Sequence, residues 1–223
     1  MASDPPAPAA LSPLPWAVWT LIIALAGIEL VLWVGAQGLI AQAGSAGWRA
    51  QAWAAFAVSA DLQGWMIETR QTPPRDLLRY LGYGFVQFGP LHVLLIVALT
   101  AGLGKFCAER LGSWRLLLLV ALAQAAGGVS FGLFAESGAW LIGGHPLVFA
   151  LAGCFLWLVQ HGEAPGPARI PALALIAILV AGRIGLALVI GGMDWVADLT
   201  ALGAGYALTS ALRPGALALL RRR

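Results

Sequence analysis

Apolar residues run along this chain in long unbroken blocks, without the strict alternation that marks a half-buried strand. Cut at charges and at Gly/Pro clusters, the blocks cover residues 16–36, 85–103, 114–135, 141–160, 170–190 and 195–212. Each comes close to the roughly 20 apolar residues that a helix needs to cross the bilayer core. Only helices and closed barrels satisfy every backbone group in lipid, and blocks without period-two alternation fit helices. The pattern predicts an all-α polytopic membrane protein, with six transmembrane helices over residues 16–212. A Pro/Ala-rich disordered tail over 1–15 precedes them and a basic tail over 213–223 follows. The first tail lacks the basic region of a secretory signal, and the apolar block behind it is far longer than a signal's core. Residues 16–36 therefore read as a first span.

Lysine and arginine positions set the expected orientation. Lys105, Arg110 and Arg115 follow the second block, Arg169 follows the fourth, and Arg213, Arg221, Arg222 and Arg223 fill the tail. The loops at 136–140 and 191–194 contain no basic residue. Both termini are expected to face the cytoplasm. The outer loop 37–84 carries Arg49, Arg70, Arg75 and Arg79, but long loops translocate largely whatever their charge. Its aromatic-rich stretch, with Trp48, Trp53, Phe56, Leu62, Trp65 and Met66, is expected to lie as interfacial helices at headgroup level.

Composition sharpens the class. Of 223 residues 60% are apolar and 10% charged, with a mean hydropathy of +0.84, against about 25% charged in an ordinary soluble domain. Such a chain cannot cover itself with polar surface, which excludes a soluble enzyme, a nucleic-acid-binding domain, a coiled coil and a disulfide-rich module. The net charge of +3 serves topology and attraction to anionic lipid. Cys107 and Cys154 lie beside or within apolar runs and suggest neither a disulfide nor a metal site.

Charges inside the blocks are few and expensive, so each needs a partner or a purpose. Glu29, His92, His145, Arg183 and Asp198 are the candidates. Counted along helices at 1.5 Å per residue, Glu29, His92, Arg183 and Asp198 fall roughly 5–12 Å below one surface, and His145 begins its helix from the same side, which suggests a single polar layer in the outer half. Two readings stay open. One is a water-accessible cavity, and the other a structural network in which Arg183 pairs with Asp198 or Glu29. Small residues recur as well, including Gly127-Gly128, Gly153 and the Ala201 to Gly205 spacing, which lets helix backbones approach closely in lipid.

Several motifs carry a resemblance. Leu78-Arg79 leads into Phe85-Val86-Gln87-Phe88-Gly89-Pro90-Leu91-His92, with Ile96 four residues on. Gly104, Glu109 and Gly112 precede the third block, Gly143-Gly144-His145-Pro146 opens the fourth, and Ala197-Asp198-Leu199-Thr200-Ala201 with Gly205 occupies the sixth. From about Arg79 to about Ser210 the chain resembles the rhomboid intramembrane serine proteases and their inactive relatives, in particular alpha-proteobacterial rhomboid-like sequences. The resemblance implies a six-transmembrane-helix rhomboid-like bundle and places His145 at the nucleophile position and Asp198 at the general-base position. Gln87 replaces the family's first histidine and Ile96 its asparagine; His92 retains the second histidine.

These departures imply lost chemistry. A serine–histidine dyad needs a hydroxyl beside a base and donors for the oxyanion, and neither His145 nor Asp198 supplies that. The expected catalytic set is empty. A polar cavity of Glu29, Gln87, His92, Gly143, Gly144, His145, Arg183 and Asp198 is expected instead, with a contact between His145 and Asp198. Two histidines and a carboxylate could in principle hold a metal, but no ligand spacing supports one, and no cofactor is expected. The implied function is a pseudoprotease that binds transmembrane segments of client or complex partners in the lipid bilayer, with no nucleic-acid partner. The alternatives are an active intramembrane endopeptidase with a noncanonical site, Ser137 being the nearest hydroxyl in sequence, and a small transporter or proton-conducting protein.

Overall fold

The computed structural model describes residues 13–39, 44–162 and 166–214. Most of the expected first tail, and Arg221 to Arg223 of the second, lie outside the described residues. The helices are α1 (Trp16–Ala36), α2 (Trp48–Phe56), α3 (Ala60–Thr69), α4 (Pro74–Leu77), α5 (Arg79–Gly82), α6 (Pro90–Leu111), α7 (Ser113–Phe134), α8 (His145–Gln160), α9 (Gly166–Ile190) and α10 (Asp194–Leu212). Helices α1, α6 and α7 are long and apolar enough by themselves to cross a membrane, and 145–160 and 173–189 are shorter apolar helices. The fold is the all-α bundle that the block pattern predicts, and α1, α6, α7, α8, α9 and α10 correspond to the six blocks.

Helix α8 is the axis of the bundle, packed against α6, α7, α9 and α10. Leu147, Val148, Ala150, Leu151 and Ala152 are all buried on it. Its 16 residues rise about 24 Å at 1.5 Å each, short of the roughly 30 Å hydrocarbon core. A helix sheltered by protein on every side need not span that thickness. Packing in lipid rests on close contact, because lipid tails are as apolar as leucine. The seam between α8 and α10 meets this requirement with glycines. A Cβ on Gly153 would collide with the Leu202 carbonyl oxygen, and one on Gly205 with that of Ala150.

Boundaries differ from the apolar blocks in three places. The second span begins at Pro90 and not at residue 85, because Tyr83–Phe85 is a 3-10 turn followed by extended backbone. It runs on to Leu111, so Lys105 and Arg110 lie on α6, Arg115 on α7, and Gly112 alone, with φ 88°, joins the two. The fourth begins at His145, because Trp140–Leu141 (β2) pairs antiparallel with Val58–Ser59 (β1). Residue 169, expected in a loop, is helical.

The segment between α1 and α6 is folded against the bundle. Its aromatic-rich stretch forms α2 and α3, separated by β1. Ser59 Oγ caps α3 by accepting from the Leu62 amide at 3.3 Å. Arg79 bonds Asp76 at 3.0 Å and the carbonyls of Ala54 and Ala57 at 2.7 and 3.0 Å, satisfying acceptors that α2 leaves open at its end. Val58, Met66, Tyr80, Tyr83, Phe131 and Leu141 form a separate small core beneath this segment.

Candidate functional site

The strand pair delivers the chain to the opening of α8. After β2 the backbone turns through Gly143, whose φ of 104° is open to glycine and strained for other residues, and the Gly143 amide donates to the Tyr83 carbonyl at 3.1 Å. A side chain here would be crowded: a Cβ on Gly143 would lie 3.1 Å from His92 Cε1. One on Gly144 would lie 2.7 Å from Ile96 Cγ2. His145 follows as the first residue of α8, with Pro146 in the first turn, where a missing amide hydrogen costs nothing.

Gln87, fully buried, is the clasp between this turn and the start of α6. Its amide nitrogen donates to the Gly84 carbonyl at 2.7 Å, and its oxygen accepts from the Gly144 amide at 3.1 Å. A single amide thus satisfies one acceptor and one donor that would otherwise be orphaned in the interior. His92 and His145 meet with Nε2 and Nδ1 3.2 Å apart, one ring donating and the other accepting. Phe88 packs edge-on against His92, and Trp53 against Phe88.

Glu29 is paired with Arg49. The guanidinium of Arg49 on α2 donates to both Glu29 oxygens, at 3.0 and 2.7 Å, and also to the Gln87 carbonyl at 2.8 Å. The Glu29 side chain is only 3% exposed, so this fork provides the compensation that a buried carboxylate requires. Arg49 was expected only as a loop charge. The usable signal was that Glu29 is the sole formal charge from residue 5 to 48 and that the nearest cation along the chain is Arg49.

Asp198, fully buried on α10, forms an ion pair with Arg183 of α9, which also approaches Asp194 at 3.5 Å. Of the two pairings expected for Arg183, this is the one formed. The expected contact between His145 and Asp198 is not made: the imidazole is taken by His92 and the carboxylate by Arg183. The candidates therefore fall into two clusters. One holds Glu29, Arg49, Gln87, His92 and His145, and the other Arg183, Asp194 and Asp198. Tyr83, which sequence reasoning did not single out, lies between them. It is fully buried and donates to the Gln124 carbonyl at 2.8 Å. Burial, and then the nearby charge of Asp198, push its phenol well above the ordinary tyrosine value.

The chain has three histidines. His92 and His145 bond each other, and His161 bonds the Trp157 carbonyl at 2.8 Å, so no imidazole is hydrogen-bonded to a hydroxyl. The Ser137 hydroxyl donates to Asp61 at 2.7 Å, and the same carboxylate accepts from the Gly138 amide at 2.9 Å, closing a loop onto α3. Among the described residues no three His, Cys, Asp or Glu side chains are grouped to hold a metal ion. Cys107 and Cys154 are buried and free.

A family model for the rhomboid domain matches residues 74–215, well over half of the chain. A comparison with curated proteins finds no match. The matched stretch begins in α4 and runs past the end of α10, taking in the glycine seam between α8 and α10, the turn into α8 and every member of the two polar clusters except those on α1 and α2; the chain belongs to the rhomboid family.

Proposed function

We propose that this rhomboid-like membrane protein has no peptidase chemistry and binds transmembrane segments of client or complex partners. The observation that carries the proposal is the bonding of the imidazoles: none of the three is hydrogen-bonded to a hydroxyl, His92 and His145 meeting each other and His161 meeting the backbone. A hydroxyl becomes a nucleophile when a base stands within hydrogen-bond reach, and removing one member of such a pair already costs several orders of magnitude in rate. The imidazole at position 145 and the carboxylate at position 198 are instead tied into His92 and Arg183.

A binding role needs an open apolar edge, and α9 supplies it. Among its described side chains only Ile176 is buried, while Ile178, Ile184, Leu186, Leu188 and Val189 are exposed. A second helix laid against them would replace lipid contacts by packing. The distribution of basic residues supports an orientation with both termini in the cytoplasm. Lys105, Arg110 and Arg115 cluster around the α6–α7 turn, and the two turns at the other end carry none.

The test combines two readouts on the full chain in lipid vesicles. A helical substrate with a generic rhomboid cleavage segment remains intact and a fluorophosphonate serine probe leaves the protein unlabelled, whereas photo-crosslinkers at Ile184 and Leu188 trap a transmembrane segment in native membranes. Cleavage that depends on His145 or Asp198, or labelling of Ser137, would overturn the proposal in favour of an active endopeptidase.

A further inference from the structure

A cavity of about 620 Å³ opens between α3, the turn that follows it, α4, α5 and α7. Its walls include Met66, Ile67, Leu77, Leu81, Val129 and Leu133. The volume lies in the range of small-ligand sites, roughly 300–1,000 Å³. Gln63 also lines it, but both ends of its amide are used: the nitrogen donates to the Val129 carbonyl at 3.0 Å and the oxygen accepts from Tyr80 at 2.6 Å. Two polar side chains of the lining, Arg70 and Thr72, have no hydrogen-bond or ion-pair partner among the described residues. No carboxylate lines the cavity.

Arg70 is placed there at a cost. It ends α3 in the left-handed conformation, φ 56°, and is the one non-glycine residue with positive φ among the described residues. Glycine is the usual residue at such a helix end, so glycine would relieve the strain and lose the guanidinium. Trp65, Ile67, Leu77, Leu78 and Leu81 are exposed around the same segment. A tryptophan beside exposed aliphatic residues and a free arginine is the composition of a membrane interface, where arginine buries its stem and keeps its charge at headgroup level.

We propose that this cavity binds one acyl chain of an anionic glycerophospholipid, whose phosphate is held by Arg70 and Thr72. The apolar wall accepts the chain. The guanidinium offers a planar fork of donors to phosphate oxygens, and the threonine hydroxyl adds a third donor. With a cation at the mouth and no carboxylate in the lining, an anionic headgroup is favoured over a zwitterionic one. This proposal does not depend on whether the protein binds or cleaves transmembrane segments.

The test uses the full chain in mild detergent with phosphatidylglycerol or phosphatidylcholine of identical acyl chains carrying a diazirine near the tail. Phosphatidylglycerol is expected to label peptides containing residues 63–67 and 125–133. It should do so about fivefold more strongly than phosphatidylcholine, the factor expected of one surface arginine. Arg70→Gln brings the two lipids to parity, and Val129→Trp removes labelling from those peptides with either lipid. Equal labelling of the wild-type chain by both lipids, label spread evenly over all helices, or an unchanged preference in Arg70→Gln would overturn the proposal. So would displacement of phosphatidylglycerol by equimolar oleate, which would make a free fatty acid the occupant. Thermal melting identifies any variant that does not fold; should Val129→Trp be one, Arg70→Gln decides.

Discussion

Asp198 is the counterion of Arg183, and its removal should be felt as lost stability. In Asp198→Leu the Arg183 guanidinium, 13% exposed, keeps only Asp194 at 3.5 Å. Breaking a buried ion pair by removing one partner costs about 3–5 kcal/mol, and the residual contact puts this variant near the lower end. Arg183→Met leaves a carboxylate whose side chain is 1% exposed and whose Oδ1 already has no partner, so this variant belongs near the upper end. The double variant removes both charges together, and replacing a buried pair by apolar groups is often neutral. It should therefore recover to within about 1 kcal/mol of the parent, a coupling of several kcal/mol that a double-mutant cycle isolates. Equilibrium unfolding of the detergent-solubilised protein, followed by helical circular dichroism, measures all four species. Single variants that lose less than about 0.5 kcal/mol, or a double variant as unstable as the two losses added, would refute the reasoning.

Three further outcomes are expected. Glu29→Gln replaces a charged fork by a weaker contact at Arg49, and should lose about 1.5–3 kcal/mol in the same unfolding assay; limited proteolysis should cut more readily between α1 and α3. Gly205→Ala places a methyl group against the Ala150 carbonyl, where neither backbone can yield, so the loss should reach or exceed the roughly 1–3 kcal/mol usual for overpacking. Gly143→Ala combines a left-handed φ of 104° with a methyl group 3.1 Å from His92. It should cost at least about 1–2 kcal/mol and disturb the His92–His145 bond, which histidine-selective NMR would register as shifted imidazole resonances.

The spans were legible because lipid leaves helices so few ways to be wrong: every block of apolar residues became a helix of the bundle. Their starts were harder to read. Trp140, Leu141 and Ile142 are as apolar as the helix they precede, and composition does not distinguish a strand residue from a helical one; only the distant partner Val58–Ser59 does. Residues 85–89 misled in the same way. The depth of the buried charges could be counted along the sequence, but their pairing could not, since Glu29 finds its cation on α2, outside the blocks. His145 and Asp198 each find a partner other than the other, a choice made by where α6 and α9 stand relative to α8 and α10.

The single residue joining α6 to α7 makes these two helices a pair of arms with one shared joint. Gly112 leaves almost no slack between them, so their ends there stay together while relative tilt grows with distance from the pivot. Any swing of α7 against α6 is therefore largest at the far tips, beside the Arg70 mouth and the turn into His145, and smallest among Lys105, Arg110 and Arg115.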